Sequence, residues 1–158
     1  MKHFFLLCAM CTLLLGCTAS FVRAAEIPGM GAMLLLSEID QHKGKVVVLN
    51  FFATWCAPCQ EEIPGLVRLR LRYPVDKVAI LGLSLDEDPA LVPPFIGKYG
   101  INYPVKMASM DVVRMFSIRS VPHNTVYDAT GRLVANQPGL IAEEDFRDAI
   151  DKLLEQKK

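Results

Sequence analysis

The stretch "VVVLNFFATWCAPCQEEIPG", Val46 to Gly65, joins an apolar run to a cysteine pair and then to a helical pattern. From Lys45 to Ala53 the residues are β-branched and aromatic without polar alternation, the pattern of a central strand buried on both faces. From Ala57 to about Arg72, the spacing of Leu66, Leu69 and Arg70 with Glu61 and Glu62 predicts a helix, kinked at Pro64 and closed by Tyr73-Pro74. Cys56 and Cys59 stand at the junction. Such a pair can be a structural disulfide, half of a zinc site or a redox couple. A bridge closing so small a loop constrains little unfolded-state entropy, so stability is a weak reason to have it. At a helix start, unpaired backbone N–H groups and the positive end of the dipole favour a thiolate on the first cysteine. The Cys56 thiol is therefore expected below the ordinary value of about 8.5, in the roughly 3.5–7.5 range of such motifs. Pro58 sits where its missing N–H is harmless and, with Ala57, stiffens the turn that sets the balance between dithiol and disulfide.

The flanking sequence extends this pattern. Residues 25–33 carry Gly and Pro and read as a linker, and "LLLSEIDQHKGK" as a brief apolar element with a turn at Gly44. "KVAILGLSL", Lys77 to Leu85, is a second buried strand. Asp88 before Pro89 marks a helix start, blurred by Pro93-Pro94. A short strand from Tyr103 to Lys106 and a short helix from Asp111 to Phe116 follow. "VPHNTVYDATGRLVANQPG" reads as two strands joined by a turn at Asp128 to Gly131. The last helix, Ala142 to Gln156, opens on Glu143, Glu144 and Asp145 and ends before Lys157 and Lys158, a charge order that suits the helix dipole. The order β-α-β-α-β-α-β-β-α, with strands too apolar for a wet face, predicts an α/β fold: a mixed sheet covered by helices on both sides.

A chain of 158 residues with 52% hydrophobic and 22% charged content can bury one good core, so one domain is expected, over residues 34–158. Residues 1–24 form a charged tip and an apolar run, the layout of a secretory leader, and imply export into an oxidising compartment. Three fates compete for it. "LLLGC" resembles a lipobox that would lipidate Cys17; Val22-Arg23-Ala24 offers a cleavage site; and Phe4 to Val22 is about long enough to span a bilayer if retained. Cys8 and Cys11 also form a CxxC, but inside this leader, which argues against a four-thiolate zinc site with Cys56 and Cys59. Without Lys2 and Arg23, 15 of the 17 basic residues face 17 acidic ones, so the processed chain is mildly acidic and no basic patch points to nucleic acid.

"NFFATWCAPCQEEIPG" resembles the active site of the thioredoxin superfamily, and specifically of its exported TlpA-like and ResA-like thiol-disulfide oxidoreductases. The similarity runs from about Leu36 to the C-terminus, with a βα insertion after "LGLSLDED" and a later Val-Pro in the family's order. It implies a thioredoxin-like fold in which the Cys56 thiolate attacks a substrate disulfide and Cys59 resolves the mixed disulfide. It also implies a cis-proline at Val121-Pro122, whose backbone would hydrogen-bond an incoming peptide. Where thioredoxin has a buried Asp, this chain has Asn50, which cannot take a proton. The matching carboxylate of the exported branch is Glu62, one helical turn past Cys59 and suited to accept its proton.

Trp55 reads either as core or as an exposed contact surface beside the cysteines. His123 departs from the family, where Thr is common; it is expected as an exposed residue of the substrate groove, with thiolate tuning or metal binding as the alternative. His42 reads as a surface loop residue. The resemblance implies no cofactor beyond the redox disulfide, protein dithiol or disulfide substrates such as apocytochrome c, a membrane electron donor, and a periplasmic or cell-envelope location with a tether through the N-terminus. Two further readings are a disulfide oxidant or isomerase with the same couple, and a copper-binding module using Cys56, Cys59 and His123. A thiol peroxidase is disfavoured, because "TWCAPC" lacks that family's Thr-x-x-Cys arrangement.

Overall fold

The computed structural model describes residues 26–156. The expectations for the leader, for Cys8, Cys11 and Cys17, and for Lys157 and Lys158 lie outside the described residues. A six-stranded sheet organises the rest: β1 (Gly29–Met30), β2 (Val46–Phe52), β3 (Val78–Ser84), β4 (Val105–Ala108), β5 (His123–Tyr127) and β6 (Leu133–Pro138) stand in the order β1-β4-β3-β2-β5-β6. β2 runs parallel to β3 over seven residue pairs and antiparallel to β5. Every residue of β2 is buried, as a run apolar at all positions but Asn50 requires.

Five helices cover the sheet: α1 (Ala32–Gln41), α2 (Ala57–Arg72), α3 (Val92–Tyr99), α4 (Met110–Met115) and α5 (Glu143–Glu155). Strand alternation divides the interior in two. On one face Val46, Val48 and Phe52 pack with Ile63, Leu66 and Leu69 of α2, Phe95 of α3 and Phe146 and Ile150 of α5; Cys56 and Cys59 belong to this cluster. On the other face Val47, Leu49 and Phe51 pack with Leu35 and Ile39 of α1 and Val112 of α4.

Two expectations are corrected at the N-terminal side. Within the described part of the expected linker 25–33, Gly29–Met30 is an edge strand parallel to β4, and helix α1 already begins at Ala32. The domain therefore starts ahead of residue 34. The brief apolar element is a ten-residue helix whose start lacks any local capping side chain. The Ala32 N–H is instead capped by the Asp111 carboxylate, at 3.0 Å from across the fold. Asp88 does open the next element, a 3-10 turn at Pro89–Leu91, by accepting the Ala90 N–H; α3 follows, and β4 begins two residues later than the spacing suggested.

Candidate active site

β2 ends in a turn closed by the Cys56 N–H donating to the Ala53 carbonyl at 3.1 Å. Cys56 is then the N-cap of α2: its backbone is extended, and its Sγ accepts the Cys59 N–H at 3.2 Å. The first sulfur thus lies where a helix presents an orphan donor, which stabilises the thiolate formed on reduction. Cys56 and Cys59 are disulfide-bonded with Cα atoms 5.3 Å apart, inside the usual span for a bridge. The two cysteines are unequal: Cys56 keeps 5% exposure and Cys59 none. Trp55 is 70% exposed beside them, with Ala57 and Pro58 also at the surface, so Trp55 is not core.

The Val121-Pro122 peptide is cis, and Val121 packs against the cluster that contains both cysteines. Pro122 has no N–H, and its carbonyl already accepts the Gly139 N–H at 2.8 Å. The Val121 backbone makes no hydrogen bond within the described residues.

One turn beyond Cys59, Glu62 is 4% exposed and receives three hydrogen bonds. Asn50 Nδ2 donates to Oε2 at 2.7 Å, while Asn124 Nδ2 and the Ile141 N–H each donate to Oε1 at 2.8 Å. Asn50 also donates to Asn124 Oδ1 at 2.9 Å, across the β2–β5 register pair Asn50–Asn124. Burial pushes the Glu62 carboxyl up from 4.5 to about 7, against the pull of its three neutral donors. A carboxyl so poised exchanges a proton near neutrality. The Tyr103 hydroxyl, buried without a partner, is held protonated by burial and by the charge of Glu62.

His123 is corrected on two counts. It is 4% exposed, not a groove residue, and it faces the other side of the sheet, edge-on to Phe51 at 6.1 Å between centroids. The cause is strand alternation: Asn124 points to the cysteine face, so His123 points away from it. Its Nε2 shares a 2.6 Å hydrogen bond with Asn136 Oδ1. The copper reading loses its third ligand, and among the described residues no three His, Cys, Asp or Glu side chains cluster in a metal-binding arrangement.

The sequence did not point to Asn124 or to the Ile141 N–H. A lone polar residue in β2, facing a strand that itself carries Asn124, was the available signal for the Asn50–Asn124 pair. A backbone donor such as Ile141 leaves none.

A disulfide that caps its own helix, with a titrating carboxyl buried one turn away, is a redox couple and not a staple, and on this sheet it makes the chain a thioredoxin-like thiol-disulfide oxidoreductase. Residues 29–136 match the AhpC/TSA family, and the chain belongs to it. It is 30% identical over 117 residues to the thiol-disulfide oxidoreductase ResA of Bacillus thuringiensis (strain Al Hakam), covering 73% of this chain and 68% of that one. It is 30% identical over 152 residues to the thiol:disulfide interchange protein HelX of Rhodobacter capsulatus, covering 92% and 80%. The crystal structure of a thioredoxin-family thiol:disulfide interchange protein from Chlorobium tepidum TLS superposes with a TM-score of 0.68 at 31% identity, over 73% of this chain and 83% of that one.

Proposed function

We propose that the protein is an exported reductant of protein disulfides. Reduced Cys56, as thiolate, attacks one sulfur of a substrate disulfide, forming a mixed disulfide and releasing the other substrate sulfur as a thiolate. Cys59 then gives its proton to Glu62 and attacks Cys56 Sγ, which releases the second substrate thiolate and leaves the enzyme as the Cys56–Cys59 disulfide. Two electrons have passed to the substrate, and a dithiol donor at the membrane restores them. Apocytochrome c is the substrate we favour within the class of exported dithiol proteins, by analogy with the ResA-like branch.

The observation that carries this reading is Glu62: a buried carboxyl held by three donors, one turn from the resolving cysteine, and titrating near 7. The exposed Trp55 and the unpaired Val121 backbone support a protein substrate over a small one. The test is insulin reduction by wild type, Cys56→Ser and Glu62→Gln. The serine variant is expected to be inactive, and full retention of activity would reject the assignment. With Glu62→Gln, resolution of a trapped mixed disulfide at pH 7 is expected to slow by about 100-fold or more, the usual contribution of a positioned base.

A further inference from the structure

We propose that Asp86 is a positioning residue for substrate: by fixing Thr54 it presents Trp55 to protein disulfides, and so sets the preference for them over small-molecule disulfides. The inference rests on the reading of Trp55 as the substrate-facing edge of the site.

Asp86 is a buried carboxylate, 7% exposed, that the thiol chemistry does not use. It lies just past β3 and turns toward the loop before Cys56. Its Oδ1 accepts the Thr54 hydroxyl at 2.6 Å, and both its oxygens face the Thr54 N–H, at 3.0 and 3.2 Å. Its Oδ2 also accepts the Ser84 hydroxyl at 2.7 Å. From the other side, Gln60 Nε2 donates to the Thr54 carbonyl at 2.8 Å, and the Tyr99 hydroxyl donates to Gln60 Oε1 at 2.9 Å. Thr54 therefore has its N–H, hydroxyl and carbonyl held at once. Hydrogen bonds to an ionised acceptor are roughly twice as strong as neutral ones, so Asp86 is the dominant half of this clamp.

The consequence falls on the next residue. Trp55 is 70% exposed and belongs to neither interior cluster. Its direction is set by the backbone of Thr54 on one side and of the helix N-cap Cys56 on the other. An indole held beside a reactive sulfur adds contact with a protein surface and little with a small disulfide. Both outer members of the clamp, Asp86 and Tyr99, come from the excursion between β3 and β4, which thereby buttresses the mouth of the active site.

The test uses the full chain, with dithiothreitol as electron source, and compares wild type, Asp86→Asn, Trp55→Ala and the double variant on insulin and on oxidised glutathione. Asp86→Asn sets an amide N–H group against the Thr54 donors at nearly constant volume. Its KM for insulin is expected to rise about fivefold with kcat unchanged, as for loss of uniform binding. Turnover of oxidised glutathione stays at the wild-type rate. In the Trp55→Ala background the Asp86 substitution has no further effect on insulin, because it acts through that side chain. An unchanged KM for insulin, equal losses on both substrates, or fully additive effects would overturn the proposal. Should Asp86→Asn fail to fold, Thr54→Val is read by the same criteria: it keeps the amide contact, loses the hydroxyl, and is expected to raise KM about twofold. Wild type inactive toward both disulfides would reject the functional reading itself.

Discussion

Glu62 receives three N–H donors and faces no acceptor among its hydrogen-bond partners, so those partners favour its anion while burial favours its acid. Near pH 7 neither wins, and this balance suits the residue to the proton exchange with Cys59 that we propose. Resolution of the mixed disulfide is therefore expected to rise with pH through an inflection near 7, since only ionised Glu62 accepts the proton. Replacing Asn124 by Leu removes one donor from the anion, so that inflection should move upward; a stopped-flow pH profile that shifted downward would contradict the assignment. Glu62 was singled out by the family resemblance, and the helix period adds that it lies one turn beyond Cys59. The side of the sheet that His123 faces was not legible, since neighbouring strand residues point to opposite faces and the phase of β5 is fixed only by its pairing with β2. The carbonyl of Pro122 was similarly out of reach, because its partner Gly139 lies across a loop.

Among the elements, α2 and α5 meet closely where Gly65 faces the start of α5. A Cβ on Gly65 would lie 3.2 Å from Glu143 Cβ and 3.7 Å from Glu143 Cα. Those atoms belong to a helix rather than to a flexible tip. Alanine would gain up to about 1 kcal/mol in helix propensity, while overpacking costs about 1–3 kcal/mol, so Gly65→Ala is expected to destabilise on balance. Because Glu143 is two residues past Ile141, the same push should loosen the Ile141 N–H from Glu62 and raise the pH of the resolution inflection. Urea denaturation and the pH profile check the two effects separately; a stabilised variant with an unmoved inflection would refute both. The long central elements were readable because their burial pattern is local. β2 carries a run apolar at all positions but Asn50 and α2 a cysteine cap, whereas α1 depends on Asp111 and β1 on pairing with β4, signals that exist only once the chain has folded.

At the scale of the molecule, one buried acid couples stability to pH. The folded carboxyl titrates near 7 and the unfolded one near 4.5, so between those values the folded state binds more protons. Stability then falls as pH rises through this window, by on the order of 3 kcal/mol for this group. Glu62→Gln should abolish that component, measured as the difference between variant and wild-type oxidised protein at pH 5 and pH 8. The two interior clusters divide the labour of the fold. The face with α1 and α4 carries His123 against Phe51, and the face with α2, α3 and α5 carries the disulfide and its acid. What the whole assembly does to the redox couple is read in one quantity, the reduction potential of Cys56–Cys59, obtained by equilibration against dithiothreitol and glutathione buffers. A value near or below about −270 mV is expected of a reductant that depends on a dedicated electron supply, and a value near about −120 mV would contradict it by making the protein a disulfide donor.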